Sequence, residues 1–309
     1  MPRELGLEDV ARLFGTTKED LGEECASRLA EMDLRYRPIV GLGRDELILR
    51  ILKRIDEGDI PASGEGRQPD WERGWEENLE EFVRSGYDPE ALVPKYFRKN
   101  VPVRLNGEFV LPLDPEFVLK FTRAFRSWLL GKHLGTSGTV YEFGCGPGTH
   151  LAWLAERFAG RRLVGLDWAA SSQAILGAMA EKLGWPVTGR RFDFFAPDRS
   201  LRLDAGSAVY TFGALEQVGD RHAAFLEYLL EQPIAVCINV ECLHELYDET
   251  RLTDYLALKY HKRKNYLEGY LGRLRLLESE GRISIERVHH QKFGNAFDDP
   301  HSYVVWRPL

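Results

Sequence analysis

No stretch of the sequence approaches the apolar run needed to cross a bilayer. Met1 to Val10 carries acidic residues where a secretory signal places basic and then apolar ones, so the expected location is cytoplasmic. The four cysteines, Cys25, Cys145, Cys237 and Cys242, are scattered and form no C-x-x-C pair. That spacing removes the usual zinc and redox signatures and leaves reduced, mostly buried thiols. Positive charge is also in deficit. The formal net charge is -7, so no global positive field draws the chain to nucleic acid or to an anionic membrane, although local basic patches remain open. Internal repeats, heptad arrays and low-complexity tracts are missing too.

What is present is an ordinary globular composition, 44% hydrophobic and 29% charged over 309 residues, enough for a catalytic domain with an accessory region. Before about Gly138 the pattern is helical and irregular. Leu47, Ile48, Ile51, Leu52 and Ile55 repeat at helical spacing behind Asp45, and Gly58 to Asp70 reads as a loop. Trp71, Trp75, Leu79, Phe82 and Val83 then form a second stripe, whose tryptophans read as core rather than ligand contacts. Asn106-Gly107 suits a type I′ turn between Val101–Leu105 and Glu108–Leu113. Asp114-Pro115-Glu116 opens a further helix with Phe117, Val118, Phe121, Phe125 and Trp128 on one face.

After Gly138 strands and helices alternate, the pattern of a parallel sheet covered on both faces. Strands are expected at Thr139–Cys145, Arg162–Trp168, Val187–Phe194, Ser207–Phe212 and Ile234–Val240. Helices are expected at Thr149–Ala159, Ser171–Leu183 and Asp220–Leu230, with one long helix from about Glu249 to Glu278. The final strands, Ile283–Phe293 and Ser302–Arg307, have no helix between them, so the last should return antiparallel.

The first of these strands runs into Glu142-Phe143-Gly144-Cys145-Gly146-Pro147-Gly148-Thr149, a glycine turn that opens a helix and lets backbone approach a ligand. A dinucleotide fingerprint would need glycine where Thr149 stands, and no Gly-Lys-Ser/Thr follows to make a P-loop. The turn resembles the E/D-x-G-x-G-x-G motif of class I S-adenosylmethionine (SAM)-dependent methyltransferases, and the resemblance extends through the rest of the chain. It implies an α/β fold: a seven-stranded Rossmann-like sheet with helices on both faces and an antiparallel last strand. A mainly helical accessory or lid region with a small hairpin, residues 1–130, would precede a SAM-binding domain, residues 131–309.

The resemblance also implies that Glu142, Gly144, Gly146 and Gly148 lie against the methionine part of SAM. Asp167, at the end of Val164-Gly165-Leu166-Asp167, falls where an acidic residue holds both ribose hydroxyls; an ionised carboxylate can accept two charge-assisted hydrogen bonds from a diol. Trp168 would pack on the sugar or adenine, Asp193 would sit near the adenine amino group, and Phe194 and Phe212 would line the cofactor site. Other roles stay open: a purely structural turn for Gly144 and Gly146, a helix cap for Asp167, a solvated loop position for Asp193.

Leu215-Glu216-Gln217-Val218 resembles the L-E-H-V segment of many small-molecule methyltransferases with glutamine in place of histidine. Glutamine neither takes up a proton near neutral pH nor readily replaces imidazole on a metal, so no metal site is expected here. Glu216 then orients ligands, and a base is sought after the fifth strand, where Glu241 and His244 are candidates beside the alternative of a solvated polar loop. His289 and His290 are reserve candidates. His244-Glu245 does not open a zinc-protease helix, because Asp248 stands where the second histidine belongs.

The expected activity is methyl transfer from SAM to a small-molecule acceptor, with Asp167→Ala abolishing SAM binding and His244→Ala slowing turnover alone. The rivals are an RNA or protein methyltransferase that uses the basic segment Lys259, His261, Lys262, Arg263 and Lys264, and a SAM-binding module without catalysis. A nicotinamide oxidoreductase fits the glycine spacing least well. Oligomeric state is not legible in these residues.

Overall fold

The computed structural model describes residues 1–158 and 160–309. In chain order its elements are β1 (Arg3–Glu4), α1 (Leu7–Phe14), α2 (Glu23–Ala30), β2 (Arg35–Pro38), α3 (Gly41–Glu57), α4 (Gln68–Arg84), β3 (Val103–Leu105), β4 (Glu108–Pro112) and α5 (Phe117–His133). There follow β5 (Thr139–Phe143), α6 (Thr149–Arg157), β6 (Arg162–Asp167), α7 (Ala170–Leu183), β7 (Val187–Arg191), β8 (Ala208–Phe212), α8 (Ala223–Leu230) and β9 (Val236–Glu241). The chain closes with α9 (Leu252–Lys264), α10 (Tyr270–Ser279), β10 (Ile283–His289), β11 (Phe293–Asn295) and β12 (Ser302–Pro308). The expected end of α6 at Ala159 lies outside the described residues.

Seven strands form one sheet in the order β10-β12-β9-β8-β5-β6-β7. The five from β5 to β9 are parallel, and β12 runs antiparallel between β9 and β10, as the missing helix between the last two strands requires. Side chains alternate across the strands, which splits the core into two layers. Val140, Leu163, Tyr210 and Ile238 pack with α5, α6 and α7 on one face. Tyr141, Val164, Val209 and Cys237 pack with α8 and α10 on the other. The expected seven-stranded sheet with helices on both faces and an antiparallel last strand is present. Strand order reverses between β5 and β8, and open α/β sheets bind ligands outside the strand ends at such a reversal.

Two elements depart from expectation. The long helix breaks into α9 and α10, because Asn265 (φ 53°) and Gly269 (φ 77°) adopt the left-handed conformation and Leu267 turns inward between them. The hairpin at Asn106-Gly107 forms with positive φ at both turn residues, but it is the centre of a second, five-stranded sheet, β1-β2-β4-β3-β11. Its edge strand β11 comes from the far end of the chain, so the segments before and after Gly138 share a sheet. Arg104 on β3, 1% exposed, completes the join by bridging Asp254 of α9 and Asp299. Among the described residues no helix is long and apolar enough to cross a membrane.

Candidate functional site

At the β5/β8 reversal the chain leaves β5 into the glycine turn. Gly144 donates to the carbonyl of Leu166 at 2.6 Å, tying the turn to the neighbouring strand. Gly144 has φ 72°, and a Cβ there would collide with the side chain of Ala214 from the segment after β8. Only glycine fits both constraints. Gly148 (φ 73°) is the residue before the first turn of α6, with Leu176 of α7 directly beneath it.

Asp167 ends β6 and is 7% exposed. Its two oxygens accept from the backbone N–H groups of Gly146 and Ala169, each at 2.9 Å. Burial pushes this carboxyl up to about 6, against those two bonds, which favour the ionised form. A carboxylate offers about four lone-pair positions, so one remains on each oxygen for a further donor.

Beside it lies a pocket open to solvent, walled by Trp71, Trp75, Trp168, Phe194 and Phe195 and lined also by Gly144, Ala214 and Gln217. A single buried carboxylate, flat apolar walls and a backbone turn held open by glycine fit an adenosyl group, which has a diol and an aromatic base. Trp71 and Trp75 read as core in the sequence; they stack on each other at 5.4 Å, and the Trp75 ring comes within 3.0 Å of where a Gly146 Cβ would stand.

Helix α4 reaches this position through Glu72, whose carboxylate accepts from the N–H groups of Ala170 (2.6 Å) and Ser171 (2.8 Å) at the start of α7. These donors have no partner inside their own helix, and a carboxylate there also meets the positive end of the helix dipole. Sequence reasoning missed Glu72 because a cap supplied from a distant element leaves no local spacing to read.

Other residues singled out in the sequence stand away from this cavity. Glu142 points to the α5/α6 face, accepting from Tyr210 (2.9 Å) and bonding His150 (3.0 Å). Asp193 closes its own turn on the N–H of Phe195, and Phe212 packs against His150 and His301. The basic segment is largely committed internally. Lys259 pairs with Asp56, Arg263 and Lys264 donate to the carbonyls of Gly58 and Pro61, and His261 is buried against Asp298.

Glu216 and Glu241 form a buried acidic pair. Glu241, fully buried, accepts from the N–H groups of Ala214, Leu215 and Glu216 and thereby shapes the segment after β8. Burial pushes its carboxyl up to about 7, opposed by Thr211 and these N–H groups. Glu216 accepts from Gln217 through Oε1, while Oε2 has no partner among the described residues. Burial and the adjacent Glu241 raise its carboxyl well above the ordinary range. Gln217 in turn accepts from Ser63 at 2.9 Å, so the Gly58–Asp70 connection crosses this region. Tyr96 is an exposed aromatic side chain, and the nearby carboxylates Glu216 and Glu142 help to raise its phenol's proton affinity. His244 is half-buried, with its ring 6.0 Å from that of His261 and with its proton affinity lowered by burial. His289 donates through Nε2 to the carbonyl of Leu13 (2.8 Å), and His290 lies 3.6 Å from Asp299.

No family model and no curated protein matches the chain. Among solved structures, it is similar to geranyl diphosphate C-methyltransferase from Streptomyces coelicolor A3(2) in complex with Mg2+, geranyl diphosphate and S-adenosyl-L-homocysteine (SAH). The identity is 13%, covering 75% of this chain and 98% of that one, with a TM-score of 0.48. PigF with SAH shares 14% identity over 86% of this chain and 72% of its own (TM-score 0.45). A SAM-dependent methyltransferase from Aquifex aeolicus shares 17% over 58% and 88% (TM-score 0.41).

Proposed function

We propose that the chain is a SAM-dependent methyltransferase acting on a small-molecule acceptor. The observation that carries this reading is the meeting, at the sheet's reversal point, of the glycine turn, buried Asp167 and the aromatic-walled cavity. Asp167 would hold the ribose diol with its two free lone-pair positions, and Trp71, Trp75, Trp168 and Phe194 would enclose the adenine between flat apolar faces. Bound SAM supplies an electrophilic methyl group on a sulfonium. The remaining work, alignment and exclusion of water, falls to the protein.

Residues 1–130 perform the exclusion in this reading. Helix α4, pinned by Glu72, roofs the cavity, and the Ser63–Gln217 contact closes the approach above Glu216. A roof of this kind admits small acceptors and shuts out polymers. Glu216 is the group we assign to the acceptor: it is buried, adjoins Gln217 in the cavity wall, and retains an oxygen without a partner among the described residues. Deprotonated, it would take a proton from a hydroxyl or hold an amine by its N–H. Glu241 keeps its loop in shape and His244 stands apart, so neither is assigned contact with the acceptor.

Incubating the protein with methyl-labelled SAM and a cell extract, then separating the extract by size, tests this. Label should enter the small-molecule fraction. Label in RNA or protein would point to a polymer substrate, and binding without transfer would mean a module that has lost catalysis.

A further inference from the structure

On the α5/α6 face of the sheet, separate from the cavity beside Asp167, lies a second cavity, open to solvent. Its deepest cation is Arg126 of α5, 6% exposed. Among the described residues no carboxylate pairs with Arg126 and its Nε has no hydrogen-bond partner, while Nη1 donates to the carbonyl of Thr149 at 3.3 Å. The guanidinium lies over the Trp153 ring at 4.8 Å. Burial pushes its proton affinity down, to about 9, with Arg123 and Arg28 adding repulsion. Those two arginines also line the cavity, but each is already paired, with Glu90 and Glu24.

A buried guanidinium without a counter-ion is costly, and folds keep one where an anion arrives to compensate it. Two further polar groups face the same space. Thr122, one helical turn before Arg126, has a buried hydroxyl without a partner, and His150 lines the cavity with its Nδ1 committed to Glu142. The remaining wall mixes apolar side chains, Val93, Pro94, Phe97, Leu119 and Trp153, with two carboxylates, Glu156 and the Glu90 already paired with Arg123. Unused buried donors beside a partly apolar wall describe a site for an acid group on a small, partly apolar body.

We propose that this cavity binds a second small ligand through a carboxylate or phosphate group held by Arg126 and Thr122. The planar fork of arginine takes either oxyanion with two parallel hydrogen bonds. The site stands independently of the cofactor reading and would extend it if the anion belongs to the methyl acceptor.

The test uses the full chain and inorganic phosphate as the probe. At constant ionic strength, added phosphate should raise the thermal unfolding midpoint, and Arg126→Met and Thr122→Val should each abolish that rise. Arg126→Met should also raise the midpoint without anion, since it removes a buried charge, which guards against confusing lost binding with lost folding. SAH affinity, measured by calorimetry, should stay within about twofold in both variants. A phosphate effect that is absent, or that survives in Arg126→Met, overturns the proposal. So does a fall in SAH affinity with unchanged affinity for 5′-methylthioadenosine, because Arg126 would then hold the carboxylate of the cofactor. Failure of the wild-type chain to bind SAH at all would instead count against the function proposed above.

Discussion

At the residue scale, Asp167 joins structure to ligand: it already fastens Gly146 and Ala169, and the same oxygens face the cavity. Asp167→Ala should weaken SAH binding roughly 100-fold, the worth of two hydrogen bonds to a charged group. The pH dependence has a definite sign. Burial favours the protonated form, so in the free protein this carboxyl contributes stability at low pH that is lost as pH rises through about 6. In the proposed function, cofactor binding uses the carboxylate. SAH affinity should therefore weaken below about pH 6, by up to about tenfold per unit, and Asp167→Asn should remove that dependence. Glu216→Gln should leave SAH affinity intact and lower turnover. Burial and the adjacent Glu241 raise the Glu216 carboxyl, so wild-type kcat should climb with pH above the ordinary carboxylate range, and the climb should disappear in the variant.

Elements carry the next set of consequences. Helix α4 is held at the start of α7 by one carboxylate, so Glu72→Ala should cost about 1–2 kcal/mol in denaturant unfolding and should weaken SAH binding, as the Trp71–Trp75 wall loses its anchor. The parallel strands were legible because each is an apolar run between turn residues, and the glycine turn because its spacing excludes the other phosphate-binding loops. What escaped were relations between distant elements. Trp71 and Trp75 follow a helical stripe that is identical whether it faces a core or a cavity. Strand β11 is three residues long and has no pattern until β3 lies beside it. The break between α9 and α10 did leave a signal, Asn265 and Gly269, but the apolar positions around them keep helical spacing and mask it.

Across the whole molecule, the N-terminal and C-terminal segments are joined by the shared five-stranded sheet and by Arg104 between Asp254 and Asp299. Removing the cation would leave two buried carboxylates facing each other, so Arg104→Ala should destabilise the chain by about 3–5 kcal/mol, measured by chemical denaturation. The same join sets the roof over the cofactor cavity, because α3 packs on β4 and α9 through Leu47, Ile51, Phe109 and Leu256, and the chain leaves α3 directly into the Ser63 crossing. Loosening the join should therefore raise KM for the acceptor more than it lowers SAH affinity.

The central claim is that the turn after β5 and the carboxylate ending β6 together grip an adenosyl ligand. A crystal structure of the full chain grown with SAH tests it most directly. The account predicts the adenine between Trp75 and Phe194 and the ribose hydroxyls on Asp167; SAH density elsewhere, or an empty crevice at saturating SAH, would contradict it.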